Sequence, residues 1–173
     1  MMIETPKQAE FLAHPGPRKA FIGKRGSGKT TAAVLQMLAY SEAHEGPGVV
    51  FAYDSLTLKY GFLPTLESHM HIGAAYPTLR IRDKFVHLAS WADFRRLEGS
   101  RMAWAVVEDA ERMTGRRMEE IERTILVLGA PVSLFITPEW PYSEFMMPGK
   151  NSIAAGLRDN PHHLGSAYKE DIT

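Results

Sequence analysis

Apolar residues in this chain fall into short blocks punctuated by glycine, proline and charge. Five of these blocks read as buried strands: residues 19–23 (KAFIG), 49–53 (VVFAY), 85–89 (FVHLA), 102–108 (MAWAVVE) and 131–137 (PVSLFIT). Residues 30–43 (TTAAVLQMLAYSEA) hold neither glycine nor proline and predict a helix, broken at 45–48. A short helix over 8–13 precedes the first strand. Residues 55–71 have helical spacing interrupted at Gly61 and Pro64, and 91–99 (WADFRRLEG) read as a turn or short helix. Residues 116–129 (RRMEEIERTILVLG) predict a helix with its apolar positions on one side. Phe62, Met70, Trp104 and Leu128 read as core. The last thirty residues, with Pro138, Pro141, Pro148 and Pro161, read as loop. Strands alternating with helices predict parallel α/β crossovers.

The chain has 173 residues, enough for one domain with a substantial core. At 45% apolar and 23% charged, its composition is that of a globular protein. Lysine plus arginine equals aspartate plus glutamate, 20 each. Any contact with a polyanion must therefore use a local patch and not a basic surface. The chain has no cysteine, which excludes disulfides and thiolate metal sites. No apolar run reaches the length of a membrane span, and the start of the chain lacks the pattern of a signal peptide. The expectation is a soluble intracellular protein.

Between the first strand and the first long helix lies Gly23-Lys24-Arg25-Gly26-Ser27-Gly28-Lys29-Thr30, a match to G-x-x-x-x-G-K-[ST] in a strand–loop–helix setting. Glycines let backbone N–H groups turn inward around phosphate oxygens, and the helix N-terminus adds its positive end. Lys29 is expected to reach the β and γ phosphates of ATP, and Thr30 to hold Mg²⁺. Arg25, inside the loop, could contact a phosphate in its own site or in a neighbouring subunit.

The strand at 102–108 ends in Glu108-Asp109. It is expected to neighbour the phosphate-loop strand, with its acids at the C-terminal end of the sheet, where open parallel sheets bind ligands. By position Glu108 takes the metal role and Asp109 the role of base, orienting or deprotonating the attacking water. The common order is Asp then Glu, so the side-chain lengths are exchanged here. Thr137, at the end of another strand, is a candidate for sensing the γ-phosphate. Gln8, before the first strand, is a candidate for an adenine contact. Arg80, Arg82, Arg95, Arg96 and Arg101 are candidates for DNA backbone contact or for an arginine supplied in trans. Arg116, Arg117 and Arg123 interleave with Glu119, Glu120 and Glu122 as a solvated helix face. The seven histidines form no zinc-binding constellation.

Taken together, these pieces resemble the ATPase domain of the large terminase subunit, the motor that packages double-stranded DNA into tailed-phage heads. PKQAEFL looks like that family's adenine segment, and GKRGSGKT like its phosphate loop, arginine included. LASWADFRRLEG looks like the segment before its Walker B strand. AWAVVEDAE occupies the Walker B position with the acids reversed, and FITP resembles the coupling motif. RDNPHHLGSAYKEDI looks like the D-N-P…Y segment near the end of the domain. The resemblance implies a RecA/ASCE-like P-loop NTPase, with a mostly parallel sheet and helices on both faces. It implies a single ATPase domain over 1–173, with an adenine-side segment at 1–17, a loop or short-helix segment at 138–173 and no nuclease domain. It further implies Mg²⁺-dependent ATP hydrolysis, a homo-oligomeric ring around double-stranded DNA, portal and small terminase subunits as partners, and the host cytoplasm as location. Two other classes fit the phosphate loop: a small nucleotide kinase or corrinoid adenosyltransferase, and a nucleotide-dependent switch that hydrolyses little.

Overall fold

The computed structural model describes residues 5–70, 75–138 and 152–155. Helix α1 (Pro6–Ala13) starts at a capping box: the Gln8 amide donates to Thr5 Oγ1, and the Thr5 amide to Gln8 Oε1. At its other end the buried Lys19 ammonium donates to the carbonyls of Phe11, Leu12 and His14, filling acceptors that the last turn leaves open. Strand β1 (Arg18–Gly23) runs into the glycine loop and helix α2 (Lys29–Ala43). After β2 (Gly48–Ala52) come a single helical turn α3 (Ser55–Thr57), a π-helical turn at Leu58–Phe62 and α4 (Leu63–Met70). A hairpin of β3 (Thr78–Ile81) and β4 (Lys84–Ser90) follows, then the short α5 (Phe94–Leu97). Strand β5 (Trp104–Glu108), helix α6 (Gly115–Thr124), β6 (Val132–Ile136) and β7 (Ser152–Ala155) complete the described chain.

The strands form one sheet in the order β3-β4-β2-β5-β6-β1-β7, parallel except for the β3–β4 pair. Because successive strand residues face opposite sides, each buried strand feeds two cores. Phe21, Val50, Trp104, Val106 and Phe135 pack with α1, α2 and α4 on one face. Ile22, Val49, Phe51, Ala105, Val107, Leu134 and Ile136 pack with Phe94, Met118, Ile121 and Ile125 on the other. These near-continuous apolar runs are what a parallel sheet covered on both sides requires. Gly48 is needed opposite Trp104, since a Cβ there would lie 1.9 Å from the indole.

The sheet departs from the sequence reading in four places. Strand β5 does not neighbour β1; β6 lies between them. Strand β3 has no counterpart in that reading: its four residues bury only Leu79 and Ile81, and it turns into β4 through Arg82 at φ 57°. Strand β7 falls in the segment read as loop, where four small or apolar residues pair with β1. The helix expected over 116–129 stops at Thr124, because Leu126 leaves it to bridge Met102. Leu128 is thereby stranded on a turn ended by Gly129 at φ 76°, and it is fully exposed, not core. Phe62 and Trp104 are buried, and Met70 packs at the core's edge.

Candidate active site

The phosphate loop follows β1 at the C-terminal edge of the sheet. Gly26 (φ 83°) and Gly28 (φ 86°) take left-handed backbone, which side chains disfavour. Gly28 is the N-cap of α2 and offers no side chain to the helix's open N–H groups, which stay available to an anion. The Lys29 ammonium lies back over the loop, 2.6 Å from Gly23 O and 3.0 Å from Lys24 O. Lys24 and Arg25 are exposed on the loop's outer side. Ser27 Oγ is buried without a hydrogen-bond partner. Gln8 is buried beneath the loop, and its Nε2 donates to Gly28 O at 3.0 Å. Both functional ends of the Gln8 side chain are therefore engaged within the chain, bracing α1 against the loop.

Strand parity decides where Glu108 points. Trp104, Val106 and Glu108 share the face covered by α2, so the Glu108 carboxyl meets the first turn of that helix beside the Thr30 side chain. Glu108 is 3% exposed, and its Oε1 has no hydrogen-bond partner. Burial pushes its carboxyl up to about 8; Asp109 and Glu111 add to the rise, and Lys29 and Thr30 oppose it. Two buried oxygens without partners, a helix N-terminus and a hydroxyl beside a carboxyl suit a phosphate chain with a divalent cation. Mg²⁺ typically takes one or two protein oxygens and completes its shell with water and phosphate. Thr30 and Glu108 supply such a pair.

Beyond Glu108 the chain turns sharply. Asp109 takes left-handed backbone (φ 46°, ψ 46°) and starts a single 3-10 turn, Ala110–Arg112. Its Oδ2 accepts from Thr57 Oγ1 at 3.2 Å. The Thr57 amide in turn donates to Asp54 Oδ1 at 3.0 Å, and Asp54 Oδ2 pairs with Arg112. The Thr57 amide holds the Asp54 carboxyl below its ordinary value; burial opposes this and Arg112 reinforces it. Arg112 also lies 4.6 Å from the Tyr53 ring centroid, and Arg117 sits 5.1 Å from that of Trp91.

Glu111, two residues on, points the other way: its Oε2 accepts from the Thr137 amide at 3.1 Å. Its carboxyl is raised by burial above all and by Asp109, while the Thr137 amide and Lys29 oppose the rise. The fold thus brings Lys29, Thr30, Glu108, Asp109 and Thr137 to one end of the sheet. Glu111 and Thr57 join them unannounced. Glu111 had a signal, a third acid three residues after Glu108; Thr57 had none. Of the arginine candidates, Arg80, Arg82, Arg95, Arg96 and Arg101 are all exposed. His162, His163 and the RDNPHHLGSAYKEDI stretch lie outside the described residues. A groove of about 800 Å³ lies at the opposite end of the sheet beside Pro17, Arg18 and Leu128, and includes none of the predicted site residues. No helix among the described residues is long and apolar enough to cross a membrane.

No protein-family model matches the chain, and no curated protein matches it. Solved structures do. The large terminase of a thermophilic bacteriophage is similar over 98% of this chain and 50% of its own, with a TM-score of 0.78 at 14% identity. The same terminase in complex with ATP-gamma-S is similar over 96% of this chain and 48% of its own, with a TM-score of 0.72 at 15% identity. The large terminase ATPase domain of Thermus phage P74-26 gives 0.58 at 13% identity, over 89% of this chain and 80% of its own. The chain spans about half the length of the first of these proteins. It has the fold of a phage large-terminase ATPase domain, a RecA/ASCE-like P-loop NTPase fold with a mostly parallel sheet flanked by helices.

Proposed function

We propose that the chain hydrolyses ATP with Mg²⁺ and couples hydrolysis to movement of double-stranded DNA into a viral prohead. The observation that carries this reading is the buried Glu108 carboxyl, with one unpartnered oxygen, set against Thr30 at the head of a glycine-loop helix. The thermophilic phage terminase, similar in fold, is known with ATP-gamma-S and with ADP.

The loop N–H groups and the start of α2 bind the β and γ phosphates. Lys29 swings from the Gly23 carbonyl onto the γ-phosphate, where it offsets charge growing in the transition state. Thr30 and Glu108 hold Mg²⁺, which when bound neutralises phosphate charge. An acid beyond Glu108 handles the attacking water; the order of the chain gives that task to Asp109. Thr137 senses the γ-phosphate from the end of β6. Arg25, exposed on the loop, is available to a phosphate or to a neighbouring subunit in a ring. Exposed Arg95 and Arg96 on α5 offer a local basic patch for DNA phosphates, with salt-sensitive and weakly sequence-dependent binding. Portal and small terminase subunits are the partners such a motor would have, in the host cytoplasm.

Phosphate release from Mg-ATP, with and without duplex DNA, tests the reading, with Lys29→Ala as control. Turnover that DNA stimulates and Lys29→Ala abolishes supports a motor. Nucleotide binding with no turnover under either condition rejects it in favour of a switch.

A further inference from the structure

The three acids after β5 do not face one place. Strand β5 has β2 on one side and β6 on the other, and β1 with its phosphate loop lies beyond β6. Asp109 is bonded to Thr57, which follows β2. Glu111 is bonded to the amide of Thr137, which follows β6. The left-handed backbone at Asp109 produces this divergence, since it reverses the chain between the two side chains. Asp109 thus points away from the phosphate loop and Glu111 toward it. A γ-phosphate cradled by residues 23–30 faces the end of β6, where Glu111 stands.

We infer that Glu111 orients the attacking water, the task that chain order gives to Asp109. This rests on the chain being an ATPase. One Glu111 oxygen stays on the Thr137 amide, and the other accepts a hydrogen bond from water. The water oxygen bonds to the γ-phosphorus as the bond from that phosphorus to the β–γ bridging oxygen breaks. ADP leaves with the electron pair; one water proton stays on the phosphate and the other passes to solvent. Because the same carboxylate holds the first residue after β6, water position and strand end are coupled through one side chain. Asp109, tied to Thr57 and through Asp54 to Arg112, sets the turn that aims Glu111.

The test compares Glu111→Gln with Asp109→Asn in the full chain. Glutamine keeps an acceptor for the Thr137 amide and removes the charge. Glu111→Gln is expected to lower kcat by about a hundredfold or more with KM little changed, and Asp109→Asn by less than about tenfold. Removing a negative charge beside the terminal phosphate should also tighten ATP-gamma-S binding about tenfold relative to ADP. Wild-type turnover in Glu111→Gln, or a larger loss in Asp109→Asn than in Glu111→Gln, overturns the inference and leaves the ATPase reading intact. If the unmodified chain binds nucleotide but does not turn it over, the ATPase reading fails. The two affinities then judge Glu111 alone: an unchanged ratio overturns its place beside the terminal phosphate. A chain that binds no nucleotide overturns both.

Discussion

The phosphate loop and the acid turn stand at the same edge of the sheet and are built in opposite ways. The loop works through backbone: its ligand-facing groups are N–H donors exposed by Gly26 and Gly28, and Lys29 is its principal side-chain charge. The acid turn works through side chains: Glu108, Asp109 and Glu111 leave a short stretch in three directions, toward Thr30, Thr57 and Thr137. A backbone site is sensitive to what is added to it. A side-chain site is sensitive to what is removed, and to the turn that aims its groups.

Lys29→Ala sharpens the contrast most, because it deletes the loop's exception to the backbone rule. Turnover measured by phosphate release should fall on the order of a thousandfold. Gly28→Ala tests the rule itself. It removes no functional atom, yet it forces a side chain into left-handed backbone at a cost of about 1–2 kcal/mol. Nucleotide affinity measured by calorimetry should fall about tenfold or more; unchanged affinity would break the contrast. On the acid side, Thr57→Val takes one donor from Asp109. It should lower stability to thermal unfolding by about 1 kcal/mol and change kcat less than about fivefold.

The acid side also carries a pH dependence. Glu108 titrates at about 8 in the fold against its ordinary 4.5. The folded chain keeps the proton between those values, so the stability this provides is complete below the ordinary value and is lost as pH rises through about 8. The nucleotide-free Tm should therefore drop as pH rises through that window. Glu108→Gln should lack that part of the slope, and an identical slope in the variant would argue against a buried, protonated carboxyl.

The same contrast explains what could be read from the sequence. A backbone site is a spacing, and Gly23 to Thr30 shows its spacing directly. The buried strands were legible because parallel strands covered on both faces are nearly continuous apolar runs, as in 104–107. The acid turn was legible as a cluster but not in its directions. Those depend on the φ of Asp109, which no residue pattern announces. The position of β5 two strands from β1 was hidden for a related reason: strand order is fixed by which faces pack, not by where blocks fall along the chain. Leu128 misled because 3.6-residue spacing continues past Thr124, whereas the pairing of Leu126 with Met102 ends the helix there. Short β3 buries only Leu79 and Ile81, too few to leave a pattern, and β7 is only four residues long.

The Gln8 contact has one more consequence. A buried amide that caps its own helix with Oε1 and bonds Gly28 O with Nε2 makes helix α1 and the phosphate loop share a fastening. In hydrogen–deuterium exchange, the amides of α1 should then gain protection when nucleotide occupies the loop, although the whole of strand β1 separates the two along the chain. The protection pattern would mark the first helix and the loop as one cooperative opening unit.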